Sequence, residues 1–204
     1  MSARDRILAR VRRAAAPGPE WQPGGATPAI ARTEGADRIE RFVAQAEAAE
    51  ATVTRIASLA DLPEALASEF RARNLAPAVR MGDDPAFAGL DWGLIEVSRG
   101  PGRIEEPATL SRARMGMAET GSLVLASGPD NPVTLTFLGE THFVVLDAKD
   151  VQAGFESVFA GLREGALPRT VNFVTGPSRS ADIGQVLQLG AHGPVALHIF
   201  LIGS

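Results

Sequence analysis

Three apolar runs of strand length, at 122–127, 141–148 and 196–202, constrain the fold of this 204-residue chain more than any other feature. A strand that is apolar at successive residues needs cover on both faces, which is typical of parallel sheets. Weaker strand patterns and amphipathic helical segments alternate with these runs along the chain. The alternation predicts βαβ units and therefore the α/β class, with a single open, mostly parallel sheet flanked by helices.

Shorter patterns predict the other elements. Further strands are expected at 52–56, 77–81, 93–98 and 170–175. Helices are expected at 3–15, 35–50, 61–73 and 149–163, whereas 107–118 has the pattern of mixed helix and loop. The inward face of the 149–163 helix would carry Val151, Phe155, Val158, Phe159 and Leu162. These helices would supply the cover that the apolar strands need.

A stretch rich in proline and glycine at 17–28 separates a short N-terminal helix from the rest of the chain. Such a composition favours a linker over a regular element. We therefore expect residues 1–34 to form the N-terminal helix and linker, with Trp21 anchoring the linker by packing. Residues 35–204 would form one α/β domain.

The N-terminal helix is basic and carries a short apolar stripe of Ile7, Leu8 and Val11. We expect this stripe to dock on the chain's own domain or on a partner subunit rather than on a membrane or nucleic acid. The chain has neither a secretory signal pattern nor an apolar stretch long enough to span a bilayer. We therefore expect a cytoplasmic protein.

Composition excludes several chemistries. The sequence contains no cysteine, so this chain cannot use a thiolate nucleophile or hold an iron–sulfur cluster by cysteines of its own. A formal net charge of −4 and an aromatic content of 5% disfavour nucleic-acid binding. His142, His192 and His198 lack a metal-ligand spacing, and no dinucleotide or phosphate-binding glycine motif is present. We therefore predict neither a metal nor a cofactor.

The segment 174–194 has the clearest candidate chemistry. Gly176 permits a tight turn after a strand, and Ser178 or Ser180 could cap a following helix that includes Asp182. Free amides at a helix start form an anion site, beyond the carboxyl ends of the strands, and Arg179 would add a bidentate donor. Alternatively, the serines only cap the helix and Arg179 pairs with an acid.

A second candidate is the turn that precedes the 122–127 strand. Glu119 could serve there as a general base or nucleophile, and Thr120 and Gly121 could bind a ligand. The alternative is that Glu119 caps a turn and Gly121 lets the backbone bend. His192 lies in a turn-like loop with Gly193, where its side chain could face a pocket, whereas His198 is expected to be a core histidine.

Taken together, four segments resemble the LUD-domain family and within it the lactate utilisation protein C group. They are AETGSLVL, THFVVLD, GPSRSADI and LGAHGPVALHIFLI, which occur in the family's order from about residue 115 to residue 204. The resemblance implies a fold like that of the sugar-phosphate isomerase and CoA-transferase superfamily. It marks as characteristic the residues Glu119 to Gly121, Gly176 to Arg179, Ala181, Asp182 and His192 to Pro194.

The resemblance also implies a role in a system that oxidises L-lactate to pyruvate with iron–sulfur partner proteins. In such a system this chain would be a non-redox component. The stretch 128–141 departs from the family pattern, because it carries no arginine and has Leu138-Gly139 where a leucine–proline pair is common. The possibility that this chain binds a ligand other than the usual one of the family therefore stays open.

Two other functions stay open on the same residues. The chain could be an enzyme acting on a phosphorylated, acyl or CoA-linked small molecule, with Glu119 and His192 as catalytic residues. It could instead be a ligand-binding module without turnover. All three functions share an anionic small-molecule ligand, whose contacts would come from arginine and backbone amides because the chain has a single lysine, Lys149.

Overall fold

A six-stranded, wholly parallel sheet forms the centre of the fold, in the strand order β1-β12-β7-β4-β2-β3. The strands are β1 Thr52–Ile56, β2 Ala78–Met81, β3 Glu96–Arg99, β4 Ala108–Arg112, β5 Met115–Met117, β6 Ser122–Ala126, β7 Thr141–Asp147, β8 Val151–Gln152, β9 Val171–Val174, β10 Arg179–Ala181, β11 Leu187–Leu189 and β12 Ala196–Ile202. The helices are α1 Ala3–Ala14, α2 Ala36–Ala48, α3 Leu62–Ala72, α4 Val133–Phe137 and α5 Phe155–Arg163.

These elements come from a computed structural model that describes residues 2–14, 29–32, 35–104, 106–166, 168–181, 187–190 and 192–203. The predicted linker at 17–28, with Trp21, lies outside the described residues. Ile7 and Val11 of α1 are 63% and 57% exposed, so the described part of the chain does not cover the predicted docking stripe. Among the described helices, none is long and apolar enough to cross a bilayer.

The central strands β7 and β12 are buried on both faces, as their apolar sequences predict. On one face, Val144 and Ile199 belong to a core cluster that includes Phe42 of α2. On the other face, Phe143 and Phe200 belong to a cluster that includes Phe70 of α3. The predicted α/β class, with a mostly parallel sheet flanked by helices, is therefore confirmed.

The sequence pattern predicts a single sheet for all strands, whereas β8, β5, β6 and β9 form a separate four-stranded sheet in that order. The expectation of mixed helix and loop at 107–118 is also wrong, because that stretch contains β4 and β5. In β4 the polar side chains of Thr109 and Ser111 are buried. The stretch therefore lacks an apolar pattern, and pairing with β7 and β2 decides its structure.

The predicted 149–163 helix is partly wrong. It begins only at Phe155, after a 3-10 turn at Ala148–Asp150 and the short strand β8. Val151, Val158 and Leu162 are buried as predicted, but Phe155 and Phe159 are 40% and 45% exposed. Val158 and Leu162 are four residues apart and pack on β5, which turns the neighbouring phenylalanines toward the surface.

Candidate functional site

Two loops meet at the edge of the six-stranded sheet where its strands begin, which we call the amino edge. One loop follows β9, and the other leads into β12. The Ser178 amide donates to the Pro194 carbonyl oxygen at 2.8 Å. The His192 amide donates to Ser178 Oγ at 3.2 Å. Ser178 therefore holds together the two loops, which we call the amino-edge loops (175–178 and 192–195).

Two glycines fix these segments against the end of α2. Gly176 has a φ of +69°, and a Cβ there would lie 2.0 Å from the Ala49 carbonyl oxygen. Gly121 has a φ of +68°, and a Cβ there would lie 2.2 Å from the Ala46 nitrogen. A side chain fits neither the dihedral nor the space, so both positions require glycine. This accounts for two residues that the sequence analysis proposes as ligand contacts.

A chain of hydroxyl groups joins the predicted Glu119 turn to the amino-edge loops. Thr120 Oγ1 lies 2.6 Å from Ser122 Oγ, and Ser122 Oγ lies 2.5 Å from Thr175 Oγ1. Ser122 is buried, and Thr175 directly precedes Gly176. Thr120 is thus linked through Ser122 to the segment that contains Gly176 and Ser178.

Two adjoining cavities, of about 510 and 190 Å³, open beside the amino-edge loops. Both are lined by Phe137, His192 and Gly193. The larger cavity also reaches Glu140, and the smaller one reaches Thr136. The His192 side chain is exposed, so its imidazole is accessible from solvent. The predicted pocket position of His192 is consistent with this geometry.

Two residues that line these cavities, Thr136 and Glu140, are not predicted from the sequence. The Thr136 side chain is 1% exposed, and its hydroxyl has no hydrogen-bond partner among the described residues. Glu140 is exposed, and its carbonyl oxygen accepts the Val195 amide at 2.8 Å, which ties the start of β7 to the start of β12. Glu140 directly precedes the predicted strand at 141–148, but nothing in the sequence pairs it with His192.

The predicted helix after Arg179 is wrong. Residues 179–181 form β10, which pairs antiparallel with β11, so a helix N-terminus does not start at Ser180. The Arg179 guanidinium lies 3.3 Å from the Glu50 carboxylate, and the two side chains are 38% and 61% exposed. This is the alternative in which Arg179 pairs with an acid. Asp182 lies outside the described residues.

The position of the loops relative to the sheet also differs from the prediction. They follow the carboxyl end of β9, but they lie at the amino edge of the six-stranded sheet, because one of them leads directly into β12. The general tendency of α/β sheets to bind ligands beyond the carboxyl ends of the strands therefore does not apply to these loops.

Glu119 is not among the residues that line the two cavities at His192. Its amide donates to the Ala153 carbonyl oxygen at 3.0 Å, and its Oε2 accepts the Phe155 amide at 3.4 Å. The structure therefore places the two predicted catalytic residues, Glu119 and His192, in different surroundings. Among the described residues, the hydroxyl chain and the amino-edge loops connect the two surroundings.

The other two histidines are buried in the sheet. His142 of β7 pairs with Leu197, and His198 of β12 pairs with Phe143. Because His142 and Phe143 are successive residues of β7, the two histidines point to opposite faces of the sheet. Burial lowers the pKa of His142 to about 3. Burial also lowers the pKa of His198 to about 4, although the negative charge of Glu69 acts to raise it. Nδ1 of His198 lies 2.7 Å from Thr52 Oγ1. The prediction that His198 is a core histidine is confirmed.

The fold is that of an α/β protein whose candidate site lies between loops at the amino edge of a parallel sheet. The family model for the LUD domain matches residues 39–202. The chain therefore belongs to the LUD domain family, and its relatives confirm the predicted resemblance to the lactate utilisation protein C group.

Three relatives illustrate the similarity. The chain is 39% identical over 97 residues to an uncharacterized protein of Neisseria meningitidis serogroup B, covering 47% of this chain and 42% of that protein. It is 35% identical over 107 residues to Lactate utilization protein C of Anoxybacillus flavithermus, covering 49% of this chain and 47% of that protein. It is 30% identical over 162 residues to Lactate utilization protein C of Geobacillus kaustophilus, covering 67% and 66%. The first two matches thus span less than half of each relative's length.

One solved structure shares the fold. It is the crystal structure of a DUF162 family protein from Deinococcus radiodurans, with a TM-score of 0.60 and 24% sequence identity. The match covers 84% of this chain and 99% of that chain. It supports the arrangement of strands and helices described above.

Proposed function

We propose that this protein is a non-redox component of a system that oxidises L-lactate to pyruvate in the cytoplasm. Relatives named Lactate utilization protein C support the lactate role. The absence of cysteine supports the non-redox part, because clusters that carry electrons would need cysteines from other chains. Iron–sulfur proteins are therefore the proposed partners.

Within this system, the proposed contribution of the chain is to bind a small anionic metabolite at the amino-edge loops. The observation that carries this proposal is that His192, Ser178 and Thr136 line one cavity of about 190 Å³, where the buried Thr136 hydroxyl has no hydrogen-bond partner among the described residues. A hydroxyl whose hydrogen bond is unmade is costly when buried, which favours a ligand with a matching polar group. Arg179 would contribute to the local positive charge from the surface.

A growth experiment tests the lactate role. Deletion of the gene should abolish or strongly slow growth on L-lactate and leave growth on pyruvate unchanged. A plasmid copy of the wild type should restore growth, and the Glu96→Gln variant, altered at an exposed position of β3, should restore it equally. His192→Gln and Ser178→Ala should restore it poorly. Normal growth of the deletion strain on L-lactate, together with failure to co-purify iron–sulfur proteins, would contradict the proposal.

A binding experiment tests the ligand site separately. A thermal-shift screen of lactate, pyruvate, sugar phosphates, folates, nucleotides and CoA esters would identify the anion, because a ligand at about one hundred times its Kd stabilises by about 2.7 kcal/mol. Arg179→Ala and Ser178→Ala should weaken binding. Unchanged binding in both variants would show that the amino-edge loops do not hold the ligand.

A second candidate function is catalysis on a phosphorylated, acyl or CoA-linked substrate, with Glu119 as base or nucleophile. The hydroxyl chain from Thr120 to Thr175 favours it, because it links the Glu119 turn to the loop that contains Ser178. Glu119→Gln should then remove turnover of the ligand found in the screen and leave its binding intact. Equal turnover by the wild type and Glu119→Gln would contradict this role.

A further inference from the structure

The N-terminal helix α1 exposes an apolar stripe that the described part of the chain does not cover. Ile7, Leu8 and Val11 form the stripe, and α1 contains no buried residue. A helix of 12 residues is only marginally stable in water by itself, so helices of this length depend on packing an amphipathic face against another surface. We therefore expect the stripe to have a partner surface.

A groove of about 510 Å³ lies along α3, and we call it the α3 groove. It is lined by one face of α3, by the turn that follows that helix, and by residues 91–95 before β3. The α3 positions include Pro63, Ala67 and Arg71, which are spaced by four residues and so follow one face of the helix over two turns. Most of the lining side chains are apolar, so the groove suits the apolar face of an amphipathic helix.

A tight turn fixes Leu94 at the surface of the α3 groove. Asp91 Oδ1 accepts the Gly93 amide at 3.0 Å, and the Trp92 carbonyl oxygen accepts the Ile95 amide at 2.9 Å. Ile95 is buried, whereas Leu94 is 96% exposed. An exposed leucine that adjoins an apolar groove enlarges it into an apolar patch, which is typical of an interaction surface.

The charge of α1 indicates which kind of surface it meets. The helix carries five arginines and one aspartate, so its formal charge is +4. The whole chain carries −4, which leaves −8 for the other residues. Arg10 and Arg12 flank the stripe, because they lie three residues after Ile7 and four after Leu8. The helix is therefore attracted electrostatically to the acidic body of this chain.

The α3 groove has the complementary charge. Its lining includes two exposed acidic residues, Glu64 and Asp91, and one exposed basic residue, Arg71. Neither carboxylate forms an ion pair with a described residue. Both are therefore available to arginines that flank an apolar stripe in the groove.

Two other apolar surfaces of the described chain suit α1 less well. The rings of Phe155, Phe159 and Phe173 have centroids 5.7, 6.0 and 6.3 Å apart, so they already contact one another. The cavities beside the amino-edge loops contain the polar side chains of the proposed ligand site. The α3 groove combines a concave apolar surface with an excess of acidic residues.

We propose that two copies of this protein exchange their N-terminal helices, so that each α1 packs its stripe into the α3 groove of the other copy. Within one chain the structure covers neither surface, whereas the exchange covers both surfaces on both copies. Such a contact is reciprocal and closes at two copies. Residues 15–28 join α1 to the next described segment, and a chain of that length spans up to about 50 Å when extended, which reaches a neighbouring copy. The proposal is independent of the amino-edge site and of the lactate role.

Sedimentation equilibrium of the full chain at micromolar concentration tests the proposal. The wild type should be a dimer. Leu8→Glu and Leu94→Glu should each raise the Kd of the dimer at least about tenfold, because each places a charge in the apolar contact. Ile104→Glu is the control, because Ile104 is 78% exposed but does not line the α3 groove, and it should stay dimeric. All three positions are exposed within one chain, so circular dichroism should show the same fold in each variant.

Cross-linking identifies the two surfaces, because the chain has no cysteine of its own. A mixture of the Leu8→Cys chain with the Leu94→Cys chain should form a disulfide between positions 8 and 94 under mild oxidation, which peptide mass mapping detects. Such a bridge can only join two copies. A mixture of Leu8→Cys with Ile104→Cys is the matched control and should give little of the corresponding bridge.

Four results would overturn the proposal. The first is a wild type that stays monomeric, and the second is a Leu94→Glu variant that dimerises as tightly as the wild type. The third is an 8–94 bridge that forms within a doubly substituted chain but not between singly substituted ones, since α1 would then occupy the groove of its own chain. The fourth is a monomer that co-sediments with vesicles of phosphatidylcholine and phosphatidylserine unless Leu8 is changed to Glu, which would assign the stripe to a membrane surface.

Discussion

The two edges of the central sheet are built differently. At the amino edge, two loops are joined by hydrogen bonds of the Ser178 amide and hydroxyl, and His192 in one of them is exposed. At the opposite edge, where the strands end and which we call the carboxyl edge, the Arg112–Asp147 ion pair joins the ends of two strands, and the side chains of Asp84 and Asn131 are buried. The segments that resemble the family lie mainly at the first edge, whereas the second matches the usual ligand position of α/β sheets. Family resemblance and fold geometry therefore point to two different surfaces.

The largest effect on the free energy of unfolding is expected from adding a methyl group at a glycine of each edge that has no space for one. Gly176→Ala combines a φ of +69° with a Cβ 2.0 Å from the Ala49 carbonyl oxygen, and should lower the free energy of unfolding by about 3 kcal/mol. Gly82→Ala, 2.0 Å from the Asp130 carbonyl oxygen at the carboxyl edge, should cost about 2 kcal/mol. Denaturant unfolding measures both.

The control for these variants is Gly93→Ala, which has a φ of +55° but nothing within 4 Å of the added Cβ. It should cost about 1 kcal/mol from backbone strain alone. If Gly176→Ala is no more destabilising than this control, the close contact with α2 does not exist.

The next effect is the pH dependence of stability, which should have opposite signs at the two edges. His142 lies near the amino edge and has its pKa lowered to about 3 by burial. Between that value and the unfolded value of 6.5 the unfolded chain binds a proton that the folded chain excludes, so stability rises with pH. One such histidine contributes a slope of at most about 1.4 kcal/mol per pH unit.

At the carboxyl edge, burial is the main cause that raises the pKa of Asp150, with Asp147 adding to it. Its contribution to stability is present below the unfolded value of 3.8 and is lost as pH rises through the folded pKa. Between about pH 4 and pH 6.5, the free energy of unfolding should rise less steeply with pH in His142→Gln than in the wild type. In Asp150→Asn it should rise more steeply than in the wild type at the acidic end of this range. The same slope in His142→Gln as in the wild type would show that His142 titrates normally.

A smaller effect is expected from the ion pair of the carboxyl edge. Arg112→Met should lower the free energy of unfolding by about 1 kcal/mol, because Arg112 is partly exposed and solvent screens the pair. A double-mutant cycle with Asp147→Asn isolates the pairwise part. A coupling energy near zero would mean that the 2.6 Å contact adds no rigidity to this edge.

The smallest effect is expected from the ion pair beside the amino-edge loops. Arg179 and Glu50 are 38% and 61% exposed, so Arg179→Ala should change the free energy of unfolding by less than about 0.5 kcal/mol. A larger loss of stability would show that the pair holds β10 in place. With a small loss, any weaker anion binding by this variant reflects the ligand contact itself.

Much of the sheet could be predicted from the sequence, because β1 and β12 have the predicted bounds and β7 differs by one residue. The apolar or β-branched residues of each of these segments are enough to predict the strand without knowledge of the rest of the chain. The polar residues of β4 hide its buried position. Ser178 and Ser180, which favour helix caps, lie just before and within the hairpin strand β10, so the sequence predicts both stretches wrongly. The approach of Glu140 to His192 depends on the pairing of β7 with β12, which is a long-range fact that no local pattern contains.

The strand order has a consequence for how the chain is made. β1 has a single partner in the sheet, β12, and Thr52 is paired with His198, which follows 146 residues later. At about 5–20 residues per second, the ribosome needs roughly 7 to 30 s to synthesise that interval. During this time β1 and the helix that packs on it have no partner strand. Folding during synthesis should therefore begin at β2, β4 and β7 and end with the insertion of β12 between β7 and β1.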